Sequence, residues 1–131
     1  MAFPSIPTSA AGRILTAANT AGGATSTFPD LTSLTKNAGD LLIAIIATYD
    51  GNSTNAEFST WGGGFTEFVD QATTATMGIG AAYKWSTGSE TGTFTVTTAD
   101  ASTTDRQMIL MSIAGAHAST APEGGTITNG T

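Results

Sequence analysis

The chain has 131 residues, and its ten acidic and four basic side chains give it a net charge of −6. The basic residues, at positions 13, 36, 84 and 106, are too few and too scattered to form the basic face that nucleic-acid binding requires. The absence of Cys excludes a disulfide framework and a zinc ribbon. Thr, Ser, Ala and Gly fill 74 positions and 40% of the residues are hydrophobic, which predicts one folded domain with a modest core.

The first twelve residues predict an extended arm, because Pro4 and Pro7 lie among small side chains. No basic region followed by an apolar run of signal-peptide length precedes Arg13. The longest apolar run, at residues 41–47, is too short to cross a bilayer, which takes about 20 residues. We therefore expect a soluble protein that is made in a cytoplasm and has no membrane partner.

The residues in the first half of the domain predict strands separated by turns. Residues 13–18 and 24–28 predict two strands, and residues 37–40 predict a turn. Residues 41–49 are then apolar for seven positions and rich in Ile, which indicates a strand covered on both faces. Residues 50–55 predict a polar loop.

The second half continues in the same way. Residues 64–71 predict a strand at an edge, because neither of its faces is purely apolar. Residues 76–85 alternate between a face with Tyr83 and Trp85, expected to pack in the core, and a face of small residues. That small face predicts a close approach by the facing sheet or by a neighbouring subunit. In residues 93–98, Phe94 and Val96 are expected to point inward, and Thr93, Thr95 and Thr97 outward.

Together these elements predict an all-β fold, an antiparallel β-sandwich. Residues 107–114 are apolar on both faces, so we expect them beside residues 41–49 at the centre of one sheet. The predicted organisation is an arm over residues 1–12, a sandwich domain over residues 13–117 and an irregular tail over residues 118–131.

Four segments, taken in order, resemble a known group of proteins. They are Gly39-Asp-Leu-Leu-Ile-Ala-Ile-Ile-Ala47, Trp61-Gly-Gly-Gly-Phe-Thr-Glu-Phe-Val-Asp-Gln71, Ala82-Tyr-Lys-Trp-Ser-Thr-Gly-Ser-Glu-Thr-Gly-Thr-Phe-Thr-Val96 and Ile113-Ala-Gly-Ala116. Their order and spacing over residues 39–117 resemble those of tailed-bacteriophage virion structural proteins with a jelly-roll or related β-sandwich module, found on capsid decoration proteins, head fibres and tail fibres. Similar proteins continue with further strands after the segment that matches residues 121–123, so we expect a sandwich that is incomplete at its C-terminus or completed by a neighbour.

The resemblance implies a non-enzymatic virion protein. The role that we favour is a capsid decoration, or cement, protein on the outside of the head, which bridges major capsid subunits and forms a homo-oligomer such as a trimer. Its partners would be the major capsid protein and copies of itself. The alternative is a tail-fibre or head-fibre module that binds cell-surface carbohydrate.

Contacts with the capsid or another subunit are expected from the arm and from the Gly-rich segment at residues 61–65. In the arm the expected contact residues are Phe3, Pro4, Ile6 and Pro7. In the Gly-rich segment they are Trp61, placed in a loop, and Phe65. Trp61 is also the residue expected to stack on a sugar ring in the alternative function.

No set of residues has catalytic or metal-binding spacing, so we expect no enzyme, no metal and no cofactor. His117 could be combined with Ser112 or Ser119 and with Asp100 or Asp105, but the sequence holds no nucleophile elbow. Glu67 and Asp70, three apart on one strand, are expected on opposite faces and so cannot flank one glycosidic bond. The loop at residues 50–55 lacks the spacing of a calcium site.

Overall fold

The structure is a computed structural model, and it describes residues 12–19, 23–49, 58–74, 77–98, 105–116 and 120–124. These residues form eight strands and one 3₁₀ turn, Leu31–Ser33. The strands are β1 Ile14–Asn19, β2 Thr25–Thr27, β3 Leu41–Tyr49, β4 Phe58–Trp61, β5 Thr66–Thr74, β6 Met77–Trp85, β7 Thr95–Thr98 and β8 Asp105–Ile113.

The strands form two antiparallel sheets that pack against each other as a β-sandwich. The larger sheet has five strands in the order β1-β8-β3-β6-β5, and the smaller has three in the order β2-β7-β4. Strand β3 is the centre of the larger sheet and pairs with β8 and β6 along its whole length. The predicted all-β sandwich is therefore confirmed, as is the pairing of the two most apolar strands.

The core lies between the sheets and is built around a row of aromatic rings. Phe94 stacks on Phe65 at a centroid distance of 4.4 Å and on Phe28 at 4.6 Å. Trp61 continues the row at 5.8 Å from Phe28 and 6.3 Å from Phe58. The larger sheet faces this row with aliphatic and small side chains from β3, β8 and β6.

The loop between β2 and β3 closes one side of the core with two leucines. Leu31 and Leu34 are both 3% exposed and belong to the core cluster. Asp30 caps the 3₁₀ turn between them by accepting a hydrogen bond from the Thr32 backbone N at 2.7 Å. Neither leucine was expected in the core, although two leucines three positions apart after Pro-Asp are the signal of a short buried turn.

The positions of several strands agree with the sequence analysis. The predicted strand over residues 41–49 has the bounds of β3, and the predicted edge strand is β5, at one edge of the larger sheet. In the segment at residues 93–98, Phe94 and Val96 point inward, as expected. Strand β4 was not predicted, because its four residues carry only one aliphatic or aromatic side chain before Trp61.

Candidate assembly surface

The five-stranded sheet has two different faces. On the face toward the smaller sheet, Leu42, Ala44 and Ile46 of β3 are fully buried. The intervening side chains of β3, Ile43 and Ile45, point away from the smaller sheet and are half-buried. The prediction that residues 41–49 are covered on both faces is therefore wrong for the second face, where Ile43 and Ile45 are only half-buried among the described residues.

The strands beside β3 continue this outward apolar surface, which we call the outer face. Directly opposed residues of an antiparallel pair point to the same face, so the register assigns the outer side chains strand by strand. Ile45 opposes Ile109 of β8 on one side and Ala81 of β6 on the other. The central residues of the outer face are Ile43, Ile45, Ile79, Tyr83, Ile109 and Met111.

Two large side chains at the rims of the outer face are strongly exposed. Ile14, at the start of β1, is 49% exposed, and Tyr49, at the end of β3, is 50% exposed. Single exposed hydrophobics are common on proteins, but these two lie at the rims of a sheet face whose centre is apolar.

Strand β6 shows which of its two faces is the inner one. A Cβ atom added at Gly80 would lie 2.5 Å from the Phe58 ring, so the small residues of β6 face the smaller sheet and let the aromatic row approach. Tyr83 and Trp85 therefore lie on the outer face, where both are half-buried. The expectation that these two rings pack in the core is wrong. The small-residue face of β6 was expected to contact either the facing sheet or a neighbouring subunit, and in the structure it contacts the facing sheet.

The two contact residues expected in the Gly-rich segment both take part in the packing of the chain itself. Trp61 is the last residue of β4, not part of a loop, and its indole is half-buried against Phe28 and Phe58. The indole Nε1–H donates a hydrogen bond to Glu67 Oε2 at 2.6 Å. Phe65 is 6% exposed and stacked on Phe94, so in this fold its ring offers no surface to a partner.

The carboxylates of Glu67 and Asp70 lie on the same face of β5, contrary to the sequence analysis. A β-bulge between Glu67 and Val69 shifts the register, so Glu67 opposes Ala82 and Asp70 opposes Gly80, both on the inner side. Burial raises the pKa of Glu67, the hydrogen bond from Trp61 opposes that rise, and the Asp70 carboxylate adds to it. Asp70 in turn accepts a hydrogen bond from the Phe58 backbone N at 3.4 Å, so both carboxylates help to join β5 to β4.

Two buried acidic residues of the resembling segments also have structural partners. Asp40 accepts hydrogen bonds from Arg13 at 2.7 Å, from the Asn37 backbone N at 2.8 Å and from Ser112 Oγ at 3.1 Å. Burial opposes ionisation of Asp40, but these contacts, led by Arg13, lower its pKa overall. Ser112, considered above as a nucleophile, thus acts as a donor to Asp40.

Glu90 closes the turn after β6. It accepts hydrogen bonds from Ser86 Oγ at 2.9 Å, from the Thr87 backbone N at 2.6 Å and from Thr87 Oγ1 at 3.0 Å. Burial favours the neutral acid, yet the hydrogen bonds outweigh it and lower the pKa of Glu90 to about 2. Ser86 and Glu90, four residues apart, therefore stabilise the turn after β6.

Arg106 is buried at the opposite end of the sandwich from Arg13. Its guanidinium donates to the backbone oxygens of Thr25 and Gly23, and its Nε has no hydrogen-bond partner within the described ranges. Burial lowers the pKa of Arg106. The two carbonyl contacts tie β8 to the start of β2, which is a structural role.

The remaining sites of the sequence analysis lie wholly or largely outside the described residues. These are the arm residues Phe3, Pro4, Ile6 and Pro7, then His117, and the loop at residues 50–55. Asp105 is described, and it opens β8 on the outer side, seven residues and one strand length from the buried Ser112. Across the parts of the chain that the structure describes, no three His, Asp or Glu side chains are grouped so as to hold a metal ion, and no helix has the length and hydropathy to span a membrane.

Comparisons with known proteins do not assign this fold to a family. No family model matches the chain, and neither a curated protein nor a solved structure matches it.

Proposed function

We propose that the chain is a non-enzymatic structural protein of a tailed-phage virion, a decoration protein that binds the outside of the head and bridges major capsid subunits. The observation that carries the proposal is the apolar outer face of the five-stranded sheet. A sheet face of this kind is what a subunit of an assembly presents, since interface cores are depleted of charge and enriched in apolar side chains.

The resembling segments support the same reading. Their polar residues, Asp40, Glu67 and Glu90, each accept hydrogen bonds that hold turns or strands of the sandwich together. Polar residues whose hydrogen bonds hold the fold together are typical of a structural module. An enzyme active site would instead require side chains that converge on the reacting atom of a substrate.

The capsid contact is proposed for the arm, with Phe3, Pro4, Ile6 and Pro7 as its contact residues. The arm joins the domain at a fixed point, because the Gly12 carbonyl accepts a hydrogen bond from the Thr35 N at 2.7 Å and Arg13 is held by Asp40. A segment attached to such an anchor can gain affinity from main-chain pairing, and many copies on one lattice compensate for a weak single contact.

Carbohydrate binding by a fibre module remains the alternative, and Trp61 gives it little support. Sugar stacking requires an indole ring that is free to contact a ligand. In this fold the indole of Trp61 packs on Phe28 and Phe58 and donates its N–H to Glu67. A glycan array with wild type and Trp61→Ala tests the alternative directly: sugar binding that the variant loses would support it.

The experiment that tests the proposal adds the purified chain to phage heads that lack it. We expect the full chain to co-sediment with heads and to raise their survival of heat or osmotic shock, while a variant that lacks residues 1–11 stays in the supernatant. A matched control, Thr95→Lys, changes the exposed surface of the smaller sheet and should bind as wild type does. Absence of the chain from purified virions, or unchanged head survival after its removal, would overturn the proposal.

A further inference from the structure

The outer face leaves a large apolar surface without a partner element among the described residues. Its centre, around Ile45 and Ile109, is as aliphatic as the inner face, and its rims end in the exposed Ile14 and Tyr49. In a sandwich of two sheets, only one face of each sheet is covered by the other sheet. The smaller sheet therefore covers the inner face of the larger sheet and not its outer face.

The residues of this sequence outside the described ranges carry little apolar material for a cover of the outer face. Outside the described ranges the large aliphatic and aromatic side chains are Met1, Phe3 and Ile6 in the first residues and Ile127 in the last. The C-terminal segment does reach the sheet, since Gly124 packs directly on the Phe68 carbonyl and on Val69 of β5. That contact is at the outermost strand, and the three strands at the centre of the face need a larger occupant.

The charge pattern of the outer face favours a neutral partner of the same kind. Asp105, at one rim, is the charged residue that the register assigns to this face among the described strands. The other described charged residues within the strands of the larger sheet lie on its inner side: Glu67, Asp70, Lys84 and Arg106. Two copies that met through this face would bring no row of like charges together, which is a condition for self-association.

The size of the face also suits a second copy. Strands lie about 4.8 Å apart and rise about 3.3 Å per residue, so five strands of up to nine residues present a flat area of roughly 600–700 Å². Two such areas sum to about 1,300 Å², within the range of about 1,200–2,000 Å² for specific protein interfaces.

We propose that a second copy of this chain packs its own outer face on this one, so that two five-stranded sheets lie face to face about 10 Å apart. The same patch on both copies then forms a two-fold interface with Ile45 and Ile109 near its centre. This inference deepens the proposed function by naming the surface through which the subunit meets its copy. It rests on the sandwich alone and is testable without virions.

The first test compares two lysine variants of the full chain by sedimentation velocity. Ile45→Lys places a charge at the centre of the outer face, and the matched control Thr95→Lys places the same charge on the exposed side of the smaller sheet. We expect wild type and Thr95→Lys to sediment as dimers and Ile45→Lys as a monomer, with a dissociation constant raised by at least about 100-fold. Circular dichroism and thermal unfolding establish that each variant is folded.

A second measurement keeps the inference testable if Ile45→Lys fails to fold. The chain has no native Cys, so a single Cys introduced by Ile45→Cys or Thr95→Cys is a clean reporter. We expect the thiol at position 45 to react slowly with a maleimide at high protein concentration and to become reactive on dilution. The thiol at position 95 should react at the same rate throughout.

Each outcome counts for or against the inference. A wild-type chain that stays monomeric up to about 200 µM, or folded lysine variants of equal mass, overturns it. A thiol at position 45 that is protected equally at every concentration overturns it too, because the chain's own segments would then cover the face. A dimer that never binds phage heads contradicts the proposed function alone, and a head-binding protein that stays monomeric contradicts this inference alone.

Discussion

Glu90 illustrates how a single carboxylate in a turn of this protein contributes to stability. Burial favours its neutral form, but donors from Thr87 and Ser86 stabilise the ionised form and bring the pKa of Glu90 to about 2. A carboxyl whose pKa is lower in the folded state than in the unfolded chain stabilises the fold above its unfolded pKa. That contribution is lost as the pH falls toward the folded value.

We expect Glu90→Gln to destabilise the domain by about 1–2 kcal/mol at pH 7, allowing for screening near the surface, because the amide accepts less strongly and carries no charge. The difference from wild type should shrink as the pH is lowered from 4.5 to about 2 and be largest above pH 5. Urea unfolding at several pH values measures it. Glu123→Gln, at an exposed position, is the matched control, and a pH-independent difference for Glu90→Gln would contradict the assignment.

Gly80 is a second residue whose role is set by one contact. A Cβ at this position would enter the Phe58 ring at 2.5 Å from Cδ2, so Gly80→Ala must push apart the two sheets or the ring. We expect a loss of about 1–3 kcal/mol in the free energy of unfolding. The double variant Gly80→Ala with Phe58→Leu should lose less than the two single changes together, as measured by chemical denaturation. Additive losses would show that the clash is relieved elsewhere.

At the scale of elements, every strand except β4 was predictable from residue types, but the sidedness of β6 was not. The apolar run of β3 and the alternation of β6 follow from residue types alone. Which face of β6 lies inside depends on the partner sheet, whose aromatic rings need the room that Gly80 and its neighbours leave. Alternation cannot reveal this, so the face with Tyr83 and Trp85 was assigned to the core.

The bulge in β5 is a further feature that residue types do not encode. A strict period of two places Glu67 and Asp70 on opposite faces, and one extra residue at Phe68 brings them to the same side. The cause lies in pairing with β6, where Glu67 opposes Ala82 and Val69 opposes Ala81. The shifted register of β5 therefore follows from its pairing with β6 and cannot be predicted from the residues of β5 alone.

Three strands of the larger sheet meet in one buried polar cluster, which the sequence analysis missed. Arg13, just before β1, bridges to Asp40, just before β3, and both contact Ser112 of β8. The available signal was a charged residue directly before a fully apolar strand in a chain with few charges. A charge placed there is buried with the strand and needs a partner.

We expect Arg13→Met to cost about 3–5 kcal/mol, because it leaves the Asp40 carboxylate buried without its cation. The double variant Arg13→Met with Asp40→Asn should recover part of that loss, giving a clear coupling energy in urea denaturation. Lys84→Met is the control: its ammonium donates only to the Gly63 carbonyl at 2.9 Å among the described contacts, and we expect a loss of about 1 kcal/mol or less. Equal losses for Arg13→Met and Lys84→Met would argue against a structural ion pair.

Among the described residues of the molecule, most charged side chains lie away from the apolar outer face. Arg13 and Arg106 are buried within the sandwich, and the described outer face carries Asp105 only at its rim. The net charge of −6 therefore acts between copies at long range, while the centre of the described contacting surface is apolar. Long-range repulsion and short-range apolar attraction respond in opposite ways to salt.

We expect the face-to-face pair to become tighter as salt rises. Between about 0.02 M and 0.5 M NaCl the screening length shrinks several-fold, so the repulsion between two copies of charge −6 is largely removed, and apolar burial is not weakened. The dissociation constant, measured by sedimentation equilibrium, should fall by about threefold to tenfold. An interface held by ion pairs would weaken over the same range, and that result would place the contact on a charged surface instead of the outer face.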